Sequence, residues 1–398
     1  MRFVDYLSST NISIWQMLPI TPPDFYGSPY ASSSAFAGCE SLIAGGEDIS
    51  MEEESYWLED WALFKTIREA HENKPWTDWP VELRDRHPEA MENWRKKIHP
   101  EIINQTKFQY NWLELKKYAN ERQVSLIGDV PIFVAHDSAD VWAHPHLFQL
   151  EKDGHPSLVA GVPPDYFSED GQRWGTVLYR WEEHHAEDFK WWRERMSRMT
   201  KLFDVVRIDH FRGFHSAWAI PVEDDNARNG FWQEGPEDEI IKHIIDEVGD
   251  SSKIIAEDLG IIPSEVVDLR KRYNLKGMAV LQFGFDGNLT SNPHYPPNIK
   301  GDLVAYTGTH DNDTTRGWLN SLNEDTLTNI KKLIKREEII VKDIIQQALS
   351  SKSEMVIIPV QDLLNIDSSG RMNIPGVAEG NWKWSFDWKD LENTSLMV

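Results

Sequence analysis

The stretch VVRIDHFRG, Val205 to Gly213, decides how this chain is read. Val205 and Val206 point to a buried strand. Arg207, Asp209, His210 and Arg212 then fall within six residues. A lone charge at the end of a buried strand is costly unless something holds it. The charges are therefore expected where the strand runs out of the core and into a pocket.

Six further runs have the same character, apolar or β-branched and then polar. They are SIWQMLPI (13–20), VSLIGDVPIFV (124–134), SKIIAEDLG (252–260), GMAVLQFGF (277–285), DLVAYTGTHD (302–311) and EMVIIPVQDLL (354–364). Helical patterns lie between them: NWLELKKYANER (111–122), DEIIKHIIDEV (238–248), SEVVDLRKRY (264–273) and VKDIIQQAL (341–349). In the last, Val341, Ile344, Ile345 and Ala348 share one face at helical spacing. Ser264, after Pro263, is the expected N-cap of its helix. Strand–helix alternation of this kind predicts an α/β fold with a parallel sheet. Seven strands suggest a (β/α)8 barrel, whose chemistry sits at the C-terminal strand ends. No glycine-rich phosphate loop follows the first strand, which speaks against a doubly wound sheet.

We read residues 1–398 as one catalytic domain. Residues 51–110, with Trp57, Trp61, Trp76, Trp79 and Trp94, form an inserted helical subdomain in this reading. Residues 144–200 form a long insertion containing AGVPPDYFSEDGQRWG (160–175), read as an active-site loop. Residues 286–300 are another surface loop.

Composition narrows the function. The chain has 398 residues, and 41 Lys and Arg against 65 Asp and Glu give a net charge of −24. With no long basic run, nucleic acid and anionic membrane are poor partners. A neutral ligand such as a sugar meets no such barrier. One cysteine, Cys39, excludes an internal disulfide and fits a cytoplasmic location. No secretion signal or membrane span is expected. Eighteen tryptophans are unusual. Aromatic faces stack on pyranose rings, although most such residues serve simply as core.

Three acids sit at strand ends: Asp209, Glu257 in KIIAEDLG, and Asp311 in AYTGTHDNDT. A barrel brings such ends to one pocket. Two carboxylates about 5–5.5 Å apart support retaining glycoside chemistry. Arg207 lies two residues before Asp209, on the same strand face, and would keep Asp209 ionised. Glu257 follows Ile-Ile-Ala and is expected to be poorly solvated, which favours a protonated acid. Singly, each acid would equally serve as a helix cap or a surface ion pair. His310, Asp311 and Asp313 would also suit a divalent ion, though no HExxH-type spacing supports one.

The motifs GSPYASSSAFAG (27–38), GDVPIFVAHDSADVW (128–142), AGVPPDYFSEDGQRWG (160–175), VRIDHFRG (206–213), IIAEDLG (254–260), TGTHDNDTTRGW (307–318) and NIPGVAEGNWKW (373–384) resemble those of the amylomaltases. These are the 4-α-glucanotransferases, or disproportionating enzymes, of glycoside hydrolase family 77. The resemblance runs from about residue 2 to about residue 384. It implies a (β/α)8 barrel without a C-terminal β-domain, and no metal or organic cofactor. It makes Asp209 the nucleophile, Glu257 the general acid/base and Asp311 the transition-state stabiliser. It makes Arg207, His310, Asp129, Asp165, Phe167, Gln172, Trp174 and Tyr30 substrate-binding or pocket residues. The substrates it implies are α-1,4-glucans and maltooligosaccharides, as donor and acceptor.

Family members carry a first strand and a Pro/Gly-rich loop ahead of the point where this chain begins. The expectation is therefore a barrel lacking strand one, most simply explained by a start assigned too late, with a genuine seven-strand variant as the other option. Thr176-Val177 replaces the usual Asn-Pro, and DFYGSPY (24–30) replaces a GYGNSPY-like run. An α-glucan hydrolase on the same scaffold, or a glucan-binding fragment with impaired catalysis, are the alternatives.

Overall fold

The computed structural model describes residues 1–45, 50–164 and 168–392. They form two compact units, Met1–Lys253 and Ile254–Val398.

The first unit holds strands β1 (Ile14–Gln16), β2 (Ser125–Pro131), β3 (Leu158–Val162), β4 (Gln172–Val177), β5 (Val205–Asp209), β6 (Ser216–Pro221) and β7 (Phe231–Glu234). Strands β1, β2 and β5 are parallel neighbours in that order. Leu126, Ile127, Val130, Val206 and Ile208 are all buried. A parallel sheet covered on both faces accepts such continuous apolar runs. The register pairs Asp129 with Arg207 and Pro131 with Asp209. The helix His99–Glu121 packs on β2 and on the helix Ser55–Ala70. Trp112 ties the first of these helices down by donating Nε1–H to the carbonyl of Leu202 at 2.9 Å.

The antiparallel sheet β4-β3-β6-β7 is absent from the sequence reading. Residues 160–175 are not a loop throughout, because their two ends belong to β3 and β4. A Cβ at Gly161 would lie 2.1 Å from the carbonyl oxygen of Gln172. The register also shifts between Val159 and Gly161. Gly161 thus marks a strand irregularity with close backbone approach. SAWAIP (216–221) holds a short apolar run, but its antiparallel pairing with β3 and β7 has no local signal.

The second unit holds β8 (Ile254–Ala256), β9 (Gly277–Val280), β10 (Leu303–Tyr306) and β11 (Val356–Ile357). β9, β10 and β11 are parallel neighbours, and Ile255 bridges Lys276 in parallel just ahead of β9. Helices Ser264–Arg272, Thr315–Ser321, Glu324–Ile334 and Val341–Leu349 alternate with them. Val341, Ile344, Ile345 and Ala348 are buried, as their spacing requires. Ile344 and Ala348 join Ala279, Ala305 and Ile330 in one core cluster. Ser264 is not the N-cap; Pro263 holds that position, and the hydroxyl of Ser264 donates to Glu265 at 3.1 Å. The fixed φ of proline suits an entry one residue earlier.

The seven runs read as strands each contain an observed strand, and the fold is α/β with parallel sheets. Among the described residues no helix is long and apolar enough to cross a membrane. Trp57, Trp61, Trp76, Trp79, Trp112, Trp142, Trp191 and Trp192 are core. Among the described residues only Trp174 and Trp232, 39% and 43% accessible, are exposed tryptophans.

Candidate active site

In the first unit the candidates form a chain of contacts. Parallel register sets Asp129 beside Arg207. The Arg207 guanidinium reaches both oxygens of Asp129 at 2.7 Å and Oδ1 of Asp209 at 2.8 Å. Arg207 and Asp129 are buried, while the Asp209 side chain is 28% accessible. The arginine therefore spans a hidden carboxylate and one that opens outward. Planar guanidinium is the group suited to bridging two carboxylates in fixed geometry. Tyr30 completes the chain, donating its hydroxyl to Asp129 Oδ2 at 2.6 Å. Burial and the nearby charge of Asp129 push the Tyr30 phenol well above its ordinary pKa. Tyr30 thus braces Asp129, a role that its motif alone does not reveal.

His210 follows Asp209 with φ 53°, in the left-handed region. That backbone turn carries its ring toward Trp174, 4.8 Å away and edge to face, and toward Phe133 at 6.1 Å. Burial, with Arg212 close by, lowers the His210 pKa to about 3, so the imidazole is neutral. His210 is thus held beside Trp174 as a neutral ring. Gln172 and Trp174 lie on β4, and Trp174 Nε1 donates to Gln172 Oε1 at 3.1 Å. Asp165 and Phe167 lie outside the described residues.

In the second unit Glu257 directly follows β8 and is buried, as expected. Its Oε1 accepts the backbone N–H of Leu259 at 2.7 Å. Its neighbour Asp258 is an anchor: it pairs with Arg270 at 3.0 Å and accepts the N–H of Met278 at 2.8 Å. Burial raises the Asp258 pKa, against the pull of Arg270.

Asp311 lies in the loop between β10 and the helix Thr315–Ser321. Asn373 donates to Asp311 Oδ1 at 2.6 Å, and His310 Nε2 lies 3.3 Å from the same oxygen. Arg371 donates to the Asp311 carbonyl at 2.7 Å. The His310 ring sits 5.8 Å from that of Trp382. Asp362, buried, accepts from Thr307 Oγ1, Thr315 N and Thr315 Oγ1 at 2.6–2.7 Å, pinning both ends of this loop. Asn373, Arg371 and Asp362 were not singled out as site residues, although the first lies in a quoted motif. Asp313 turns instead to Ser368, 2.6 Å away. Among the described residues no group of three or more His, Cys, Asp or Glu is placed to hold a metal ion.

Residues 48–390 match the family model described as 4-alpha-glucanotransferase. The chain is 39% identical to the chloroplastic/amyloplastic 4-alpha-glucanotransferase DPE1 of Arabidopsis thaliana, over 99% of this chain and 80% of that one. It is 38% identical to a 4-alpha-glucanotransferase of Synechocystis, over 97% and 88% respectively. Among solved structures, the amylomaltase from Streptococcus agalactiae in complex with acarbose superposes with a TM-score of 0.93 at 32% identity, covering 100% of this chain and 92% of that one. The Arg207-clamped acid at the end of β5, the motifs and these likenesses agree: the chain belongs to glycoside hydrolase family 77, the 4-alpha-glucanotransferases.

Proposed function

We propose that the chain transfers a segment of an α-1,4-glucan to the 4-hydroxyl of a second glucan or of glucose, by retaining double displacement, with Asp209 as nucleophile. The observation that carries this is the Arg207 clamp. It holds a partly open carboxylate at a strand end against a buried partner, Asp129. An acid so held is fixed in direction and poised to attack.

The Asp209 carboxylate attacks the anomeric carbon while Glu257 gives its proton to the departing 4-oxygen. The reducing-end fragment leaves, and Asp209 carries the glycosyl group. Glu257, now ionised, takes the proton from the acceptor 4-hydroxyl. That oxygen attacks the anomeric carbon and frees Asp209. Asp311, steadied by Asn373 and His310, is assigned to hydrogen-bond sugar hydroxyls as the oxocarbenium-like transition state forms. Trp174 and Gln172 are assigned to the glucan, with Tyr30, Asp129 and Arg207 as its supporting wall. The reading takes the parallel strands as members of a (β/α)8 barrel and, with its single cysteine, places the protein in a reducing compartment.

Transfer and hydrolysis share the glycosyl-enzyme and differ in the acceptor. Incubation with maltotriose separates them. The expected products are glucose and a ladder of longer maltooligosaccharides. Shortening without longer products would identify a hydrolase, and retained amylose binding without products a binding protein.

A further inference from the structure

The two exposed tryptophans belong to the same antiparallel sheet, on β4 and β7. Both touch the short segment that starts at the nucleophile. Trp174 meets His210, and the Arg212 guanidinium lies 4.0 Å from the ring centre of Trp232. Arg212 is three residues past Asp209, so their Cα atoms are at most about 11 Å apart.

Trp232 is held in place by a built support. It is the cross-strand partner of Trp218, and the two rings meet at 5.0 Å and 65°. Trp218 donates Nε1–H to the carbonyl of Ala227 at 2.9 Å. Its indole runs so close to Gly230 that a Cβ there would lie 2.3 Å from Nε1. The supporting ring is thus locked by a hydrogen bond and by a glycine that leaves it room. Trp232 is left 43% accessible on β7, the outer strand of its sheet. A core role does not account for that exposure. An exposed indole beside a guanidinium offers a pyranose an apolar surface to stack on and N–H donors for its hydroxyl oxygens.

We propose that Trp232, with Arg212, is a further glucan-binding platform, holding a glucose unit of the bound chain away from the bond being exchanged. The occupant is the α-1,4-glucan itself, because Arg212, whose guanidinium lies over Trp232, stands three residues past Asp209 in the turn that leaves β5. The inference rests on the transferase reading and adds a determinant of chain-length preference. Short substrates end before reaching Trp232, and longer ones lie across it.

The test compares kcat/KM on maltoheptaose and on maltotriose for the wild type, Trp232→Ala, Trp232→Leu and Trp232→Phe. Loss of one aromatic contact should lower the maltoheptaose-to-maltotriose ratio roughly fivefold or more in the Ala and Leu variants. The effect should lie mainly in KM, and Phe should restore most of the ratio. Leu keeps the bulk of the position, so it remains informative if Ala unfolds. An unchanged ratio, or an equal fall on both substrates, would overturn the proposal. An equal fall accompanied by altered oligomeric state would assign the surface to a second copy of the chain instead. Absence of longer products from the wild type would contradict the transferase reading and not this platform.

Discussion

Arg207 carries more of the site than its place in the sequence suggests. Its position two residues before Asp209 made the ion pair legible, since alternate residues share a strand face. The second half of its role was not legible. Asp129 is 78 residues away, and only the parallel register brings the two side by side. Removing the guanidinium should therefore have two effects. Arg207→Ala leaves the buried Asp129 carboxylate without its counter-charge, at a cost of about 3–5 kcal/mol to stability. Arg207→Lys keeps the charge but cannot bridge both carboxylates, so it should lose less stability while kcat on maltotriose still falls. Urea unfolding and initial-rate kinetics on the two variants check this. Equal stability of wild type and Arg207→Ala would show that Asp129 does not depend on the bridge.

Among the elements, the helix Trp181–Ala186 buries His184 against Phe148, Tyr179, Trp181 and Trp191. Burial lowers its pKa to about 3. The unfolded chain takes up this proton near pH 6.5, and the folded chain does so only near 3. Between those values the unfolded state binds more protons, so stability falls as pH drops. His210 acts in the same direction. Asp140 acts in the opposite one, because burial raises its pKa to about 6 and the folded state then holds a proton the unfolded state has lost. His294, lowered to about 4 by burial, acts with the two histidines, and Asp137, Asp258, Asp362, Glu101 and Glu194, raised by burial, act with Asp140; the contribution of His184 itself is acid lability. His184→Leu should reduce the drop in Tm between about pH 7.5 and pH 5. An unchanged drop would show that His184 is not a source of it.

At the scale of the whole molecule, the seven parallel-type strands and four helices were readable because continuous apolar runs and 3.6-residue periodicity are local signals. The antiparallel sheet was not. What fixes it is the close approach at Gly161 and pairing between distant segments, neither of which leaves a local signal. The acids were legible because charges end apolar runs. Their supports were not: Asn373, Asp362 and the Tyr30–Asp129 contact come from segments far off in sequence. The central claim is that Asp209 becomes glycosylated during turnover. A fluorinated α-glucosyl fluoride that forms the intermediate faster than it breaks down tests this, applied to the wild type and to Glu257→Gln and followed by digestion and peptide mass spectrometry. The account predicts one hexosyl adduct, on Asp209, absent from Asp209→Asn. An adduct on another carboxylate, or turnover retained in Asp209→Asn, would contradict it.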